Sequence, residues 1–125
     1  MNTKDMAILA ARSMDARKGS KITVLKLEDL TVITDYFVVG TGTSRAQTQA
    51  LAEAVSEALE AAGHNALRIE GFQEGRWILL DFGAVIVHIF QEDERSFYNL
   101  ERLWADAPAL PHSEVFPEGS ADQDR

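Results

Sequence analysis

Residues 77–90, WILLDFGAVIVHIF, constrain the fold of this chain more than any other stretch. They read as hydrophobic strand, interrupted only by Asp81, Gly83 and His88. Asp81 and Gly83 flank a turn: Gly83 can supply a positive φ and Asp81 can cap turn amides, so the run folds back on itself as a hairpin. A two-residue loop at Phe82-Gly83 sets Asp81 against Ala84, Leu79 against Ile86 and Trp77 against His88. Trp77, Leu79, Ile86, His88 and Phe90 then share one face. A three-residue loop with Gly83 in a bulge shifts the pairing by one and moves His88 to the face opposite Trp77. Both registers are open from sequence.

The remaining elements follow from periodicity and caps. Residues 3–18 carry Met6, Leu9, Ala10 and Met14 at helical spacing, with Asn2 or Thr3 as N-cap and Gly19 as the C-terminal stop. KITVLKL, 21–27, alternates Ile22 and Val24 against Thr23, Leu25 and Leu27, as a strand does. DYFVVG, 35–40, is apolar throughout its middle and reads as a strand buried on both faces. Ser44 and Gln47 form a capping box for a helix whose inner stripe is Thr48, Leu51, Val55, Ala58, Leu59 and Ala62, with Gly63 at its end. ALRIEG, 66–71, is a short strand. Residues 92–104 open with Glu92, Asp93 and Glu94, suited to a positive helix N-terminus, and set Phe97, Leu100, Leu103 and Trp104 on one stripe. From Ala105 onward three prolines, Pro108, Pro111 and Pro117, stand among acids, and disorder is expected. The order α-β-β-α-β-β-β-α implies a single α/β domain over 1–106, a mixed sheet of about five strands flanked by helices, and a tail over 107–125.

Charge narrows the partners. The net charge of −8 divides evenly, −4 from residues 105–125 and −4 from the rest, so the folded part is itself acidic. Nucleic-acid affinity rests largely on Lys and Arg displacing counterions, and little direct contact of that kind is expected here. A basic protein suits the charge better. The absence of cysteine excludes disulfides, thiolate zinc sites and a cysteine nucleophile. The apolar patch at Met6–Ala11 is too short and too charged at its flanks for a signal peptide or membrane span, and a soluble, cytoplasmic protein is expected.

Several residues suggest chemistry that the rest of the chain does not support. Asp81-Phe82-Gly83 spells a kinase triplet without the other kinase motifs or the length. His88 beside Asp81 lacks a nucleophile elbow at any serine, and His64 and His112 sit in unrelated contexts, so neither a triad nor a metal site is expected. Gly40-Thr41-Gly42-Thr43-Ser44, between a strand and a helix, is the kind of turn that binds phosphate. It lacks the Lys of a P-loop and the third glycine of a dinucleotide fingerprint. In nucleotidyltransferases such a turn is followed by two metal-binding carboxylates on a strand, and here Glu70 and Asp81 each stand alone. Trp77, Tyr98 and Trp104 can instead form one aromatic patch with Asp81 and Glu101 as an acidic rim, a composition typical of interface hot spots.

Four motifs in order carry a family resemblance: Asp35-Tyr36-Phe37-Val38-Val39 with Gly42-Thr43-Ser44; Trp77-Ile78-Leu79-Leu80-Asp81-Phe82-Gly83; Val87-His88-Ile89-Phe90; and Arg95-Ser96-Phe97-Tyr98-Asn99-Leu100-Glu101-Arg102-Leu103-Trp104. Over about residues 3–106 the chain resembles the Iojap-like ribosomal silencing factors. The resemblance implies a nucleotidyltransferase-like fold without the catalytic carboxylates, no enzymatic activity and no cofactor. It also implies binding to the large ribosomal subunit at the protein L-fourteen, which blocks joining of the small subunit and represses translation when nutrients run short. Organelle relatives are associated with large-subunit assembly. A homodimer is implied for the free protein, and the partner-binding surface falls on Trp77, Leu79, Asp81, His88, Tyr98, Leu100, Glu101 and Trp104.

Overall fold

The computed structural model describes residues 1–116, Phe97 by its backbone alone, so the expectations for the Phe97 side chain and for 117–125 fall outside the described residues. Helix α1 spans Thr3–Ala16 and helix α2 Arg45–Ala61. Asn2 is the N-cap of α1, its Oδ1 accepting from the Asp5 amide at 2.7 Å. At the other end Lys18, at φ +66°, takes the left-handed position expected of Gly19. Gly19 is required for space instead, because a Cβ there would stand 3.1 Å from the Met14 carbonyl oxygen and 3.2 Å from Leu51 Cδ2. The buried face of α2 is Thr48, Leu51, Ala52, Ala54, Val55 and Leu59. Ala62, expected on that stripe, lies past the last turn and is exposed.

Five strands, β1 (Ser20–Lys26), β2 (Tyr36–Gly42), β3 (Arg68–Glu70), β4 (Trp77–Asp81) and β5 (Val85–Gln91), form one sheet in the order β1-β2-β5-β4-β3. The β2–β5 pair is parallel and the rest are antiparallel, giving the mixed sheet expected. Parallel pairing needs a crossover, and α2 lies within the connection that makes it. Both long helices cover one sheet face, where Met14, Val38, Leu51, Val55, Ile78, Leu80, Val87 and Ile89 form the main core.

The β4–β5 turn adopts neither expected register. Phe82 N–H donates to the Val85 carbonyl at 2.9 Å, so Gly83, at φ +86°, and Ala84 make the corner. Asp81 then pairs with Ile86, Leu79 with His88 and Trp77 with Phe90. Because this differs by two residues from the Phe82-Gly83 loop, side-chain parity is preserved and Trp77 and His88 still share a face.

The C-terminal part differs most from expectation. The single helix over 92–104 is broken at Asn99, which sits at φ +44° and separates α3 (Glu92–Tyr98) from α4 (Leu100–Leu103). The break turns Leu103 outward, off the stripe expected to bury it. Residues 107–116, expected to be disordered, are packed. Lys26 N–H donates to the Pro108 carbonyl and Leu110 N–H to the Val24 carbonyl, both at 2.9 Å, so this segment extends the sheet beyond β1. A short helix α5 (His112–Val115) then buries Val115 in the main core. Proline is tolerated at a sheet edge, where a missing N–H interrupts no ladder.

Candidate functional site

The sheet face away from α1 and α2 carries a band of rings. Tyr98 packs on Trp77 with centroids 4.5 Å apart, and Trp77 on Phe90 at 5.0 Å. His88 meets Phe37 edge-on at 4.7 Å, and Phe37 meets Trp104 edge-on at 5.8 Å. Strand parity explains the assembly: Phe37, paired with Ile86, and Trp77, paired with Phe90, fall on the same face as His88 across three adjacent strands, and α3 and α4 close over one end. The approach of the chain to Trp77 is sterically fixed. Gly71, at φ +77°, runs so close that a Cβ would stand 2.1 Å from the Trp77 carbonyl oxygen.

Within this band the expected residues separate by depth. Trp77 and Leu79 are half-buried, and Tyr98 is 40% exposed. His88 is only 4% exposed, and Leu100 is buried with Val39 and Phe90, so both support the surface from below. The Trp77 indole N–H donates to His88 Nδ1 at 3.1 Å, which places the imidazole proton on Nε2, a buried nitrogen with no partner among the described residues. Burial holds the His88 pKa well below its usual 6.5, at about 4, so the ring is neutral near pH 7.

The acids are engaged. Asp81 accepts from the Gly83 amide at 2.8 Å, the turn cap expected of it, and from Arg68 Nε at 3.2 Å. Glu101 accepts from Arg95, whose guanidinium also donates to the Lys21 carbonyl and, at 2.8 Å, to Thr41 Oγ1. Arg95 is buried, and it ties α3 and Glu101 to β1 and β2. Trp104 stands apart from Trp77, packed with Leu25, Leu27 and Ala107 and joined to the band through Phe37. Phe37 and Arg95 stand in the motifs that carry the family resemblance but are not among the residues expected on this surface. Period-two alternation could have placed Phe37 on this face, whereas nothing local marks Arg95 as buried.

The Gly40–Ser44 turn is filled by the protein itself. A Cβ on Gly40 would stand 2.8 Å from Met14 Sδ, and one on Gly42 2.9 Å from Thr48 Cγ2, so these glycines admit the two helices. Gln47 Oε1 accepts from the Thr43 amide at 2.7 Å and Ser44 Oγ from the Gln47 amide at 3.1 Å, occupying donors that a phosphate would need. Among the described residues no three His, Asp or Glu side chains are grouped to hold a metal ion, and no helix is long and apolar enough to cross a membrane.

Fold and surface together define a small mixed-sheet α/β domain, with helices over one sheet face and a partly open aromatic band on the other. The chain belongs to the ribosomal silencing factor family. The family model described as "Ribosomal silencing factor during starvation" matches residues 1–125, past the residue 106 at which the motif resemblance ends. The chain is 42% identical over 108 residues to the ribosomal silencing factor RsfS of Bacillus subtilis, covering 86% of this chain and 92% of that one. It is 30% identical over 122 residues to the Mus musculus protein named "Mitochondrial assembly of ribosomal large subunit protein 1", covering 91% of this chain and 52% of that protein. A crystal structure of a Chromobacterium violaceum protein superposes with a TM-score of 0.82 at 34% identity, covering 84% of this chain and 88% of that one.

Proposed function

We propose that this chain is a non-enzymatic translational repressor that binds the large ribosomal subunit at the protein L-fourteen and thereby excludes the small subunit under nutrient limitation. The observation that carries the reading is the aromatic band, with Tyr98, Trp77 and Leu79 partly accessible above buried His88, Leu100 and Phe90. Amphipathic rings fixed from below suit a protein partner, and the net charge of −8 favours one of positive charge. The mechanism requires no bond making. Bound factor and joined subunits are mutually exclusive, so repression follows occupancy. The protein acts in the cytoplasm and is a homodimer when free.

A second reading is supported by the name of the mouse relative, which concerns assembly of the large subunit. On that reading the same surface binds an immature particle. A nucleotidyltransferase activity is disfavoured because the glycine turn is closed by Met14, Thr48 and Gln47.

Sedimentation of the purified protein with large subunits, small subunits and joined ribosomes tests the proposal. The expected result is comigration with the large subunit alone and loss of joined particles on titration. Absence of comigration with any of them overturns it.

A further inference from the structure

The end of the sheet opposite Tyr98 carries a second, unused apolar surface. In the β1–β2 connection Val32 is 103% exposed and Ile33 72%, with Leu30 also exposed beside them. The backbone that presents them is anchored. Leu27 N–H donates to the Asp35 carbonyl at 2.8 Å, Leu30 N–H to the Leu27 carbonyl at 2.8 Å, and Asp35 N–H to the Ala84 carbonyl at 2.9 Å. The last bond sets this loop against the β4–β5 corner. Leu67, 74% exposed, reaches the same corner from the start of β3, where a Cβ on Gly83 would lie 3.6 Å from its Cδ1. Trp77 and Asp81, the two ends of β4, are four strand positions apart, about 13 Å at the usual rise, and the corner lies beyond Asp81, so this surface stands at the other end of β4 from Trp77 and Tyr98.

The surrounding charge selects the occupant. Glu28, Asp29 and Asp35 flank the loop, where Lys26 bridges Glu28 at 3.5 Å and Asp29 at 3.6 Å, and Arg68, next to Leu67, bridges Glu70 at 2.6 Å and Asp81 at 3.2 Å, so acids outnumber bases around the surface. RNA phosphates and anionic lipid headgroups are repelled by such a rim. A two-fold contact with a second copy brings the same acids against one another. A basic protein segment carrying apolar side chains satisfies both features.

We infer that the Leu30, Val32, Ile33 and Leu67 surface is a second docking site, for a basic protein segment of the large ribosomal subunit. The inference rests on the proposed function and makes the interaction bivalent, with contacts toward the two ends of β4 on one domain. An intramolecular second contact raises affinity by the effective concentration it creates, so its loss is read as a large drop in affinity with no change in the first contact.

The test is a fluorescence-anisotropy titration of purified large subunits with the intact wild-type chain and with Val32→Ser/Ile33→Ser. The altered side chains are solvent-exposed, so the thermal midpoint is expected to stay within a degree or two. Affinity is expected to fall about tenfold or more. Unchanged affinity in the double variant, with wild-type binding intact, overturns the second site and leaves the silencing role standing. No binding by the wild type overturns both. Sedimentation equilibrium without ribosomes gives the remaining outcome. If the substitution dissociates a wild-type dimer and leaves subunit affinity unchanged, the surface joins two copies of this chain and the inference is wrong.

Discussion

Trp77 does two jobs that single substitutions can separate: its ring faces Tyr98 and its indole N–H satisfies His88. For Trp77→Ala or Tyr98→Ala we predict a loss of about 2 kcal/mol or more in large-subunit affinity, the size expected of a central aromatic anchor. Unchanged affinity in a folded variant removes that residue from the interface. Trp77→Phe retains a ring but leaves His88 Nδ1 without a donor, beside an Nε2 that already lacks a partner. Its predicted cost is about 1–3 kcal/mol of folding stability in denaturant titration. His88 also makes stability depend on pH in a defined direction. Its folded pKa of about 4 lies below the ordinary 6.5, so the unfolded chain binds the proton more readily. Its contribution is therefore complete above about pH 6.5, declines as pH falls toward 4 and is constant below that. The whole effect is about 3 kcal/mol for a shift of this size. Comparing pH–stability curves of wild type and His88→Gln isolates it from the carboxylates. Parallel curves through that window contradict the assignment.

The break at Asn99 positions the C-terminal elements. Its backbone ends α3 in the left-handed region, and its side chain begins α4 by accepting from the Arg102 amide at 3.3 Å. Alanine supplies neither the conformational tolerance nor the cap, so Asn99→Ala is predicted to destabilise by about 1–2 kcal/mol and Asn99→Gly by less. Circular dichroism melts of the two variants distinguish the contributions, and equal losses argue that conformation is not the issue. The same junction shows why sequence reading was uneven. The hairpin, α1, α2 and the strand order along the chain were legible because each has a local signature: Asp81 and Gly83 at a turn, Ser44 with Gln47 at a cap, apolar residues at a fixed period. Asn99 is an acceptable helix residue on propensity alone, and its break depends on α3 resting on the sheet through Arg95. Residues 107–116 were hidden for a related reason. Their prolines and acids resemble a free tail, and only the uncovered edge of β1 and the buried sites for Ala107 and Val115 make them ordered. Truncation after Trp104 is accordingly predicted to lower the thermal midpoint by several degrees, since it uncovers Leu25 and Leu27 and removes Val115 from the core.

Across the whole molecule, charge and apolar surface have separate kinetic consequences. The net charge of −8 acts at long range, whereas Trp77, Leu79 and Tyr98 act only in contact. If the partner surface is basic, approach is steered by the first and retention is set by the second. Salt screens the long-range part, because the Debye length shortens from about 10 Å at 0.1 M to about 3 Å at 1 M. We therefore predict that the association rate with large subunits falls about tenfold or more between 0.05 and 0.5 M monovalent salt at constant magnesium, while the dissociation rate changes by less than about threefold. Stopped-flow mixing with the intrinsic Trp77 and Trp104 fluorescence reads both rates. The opposite pattern, a salt-independent association rate with faster dissociation at high salt, assigns the electrostatic contribution to short-range ion pairs. Asp81 and Glu101 then become the residues to neutralise, and each would have to release its present partner, Arg68 or Arg95, to make them.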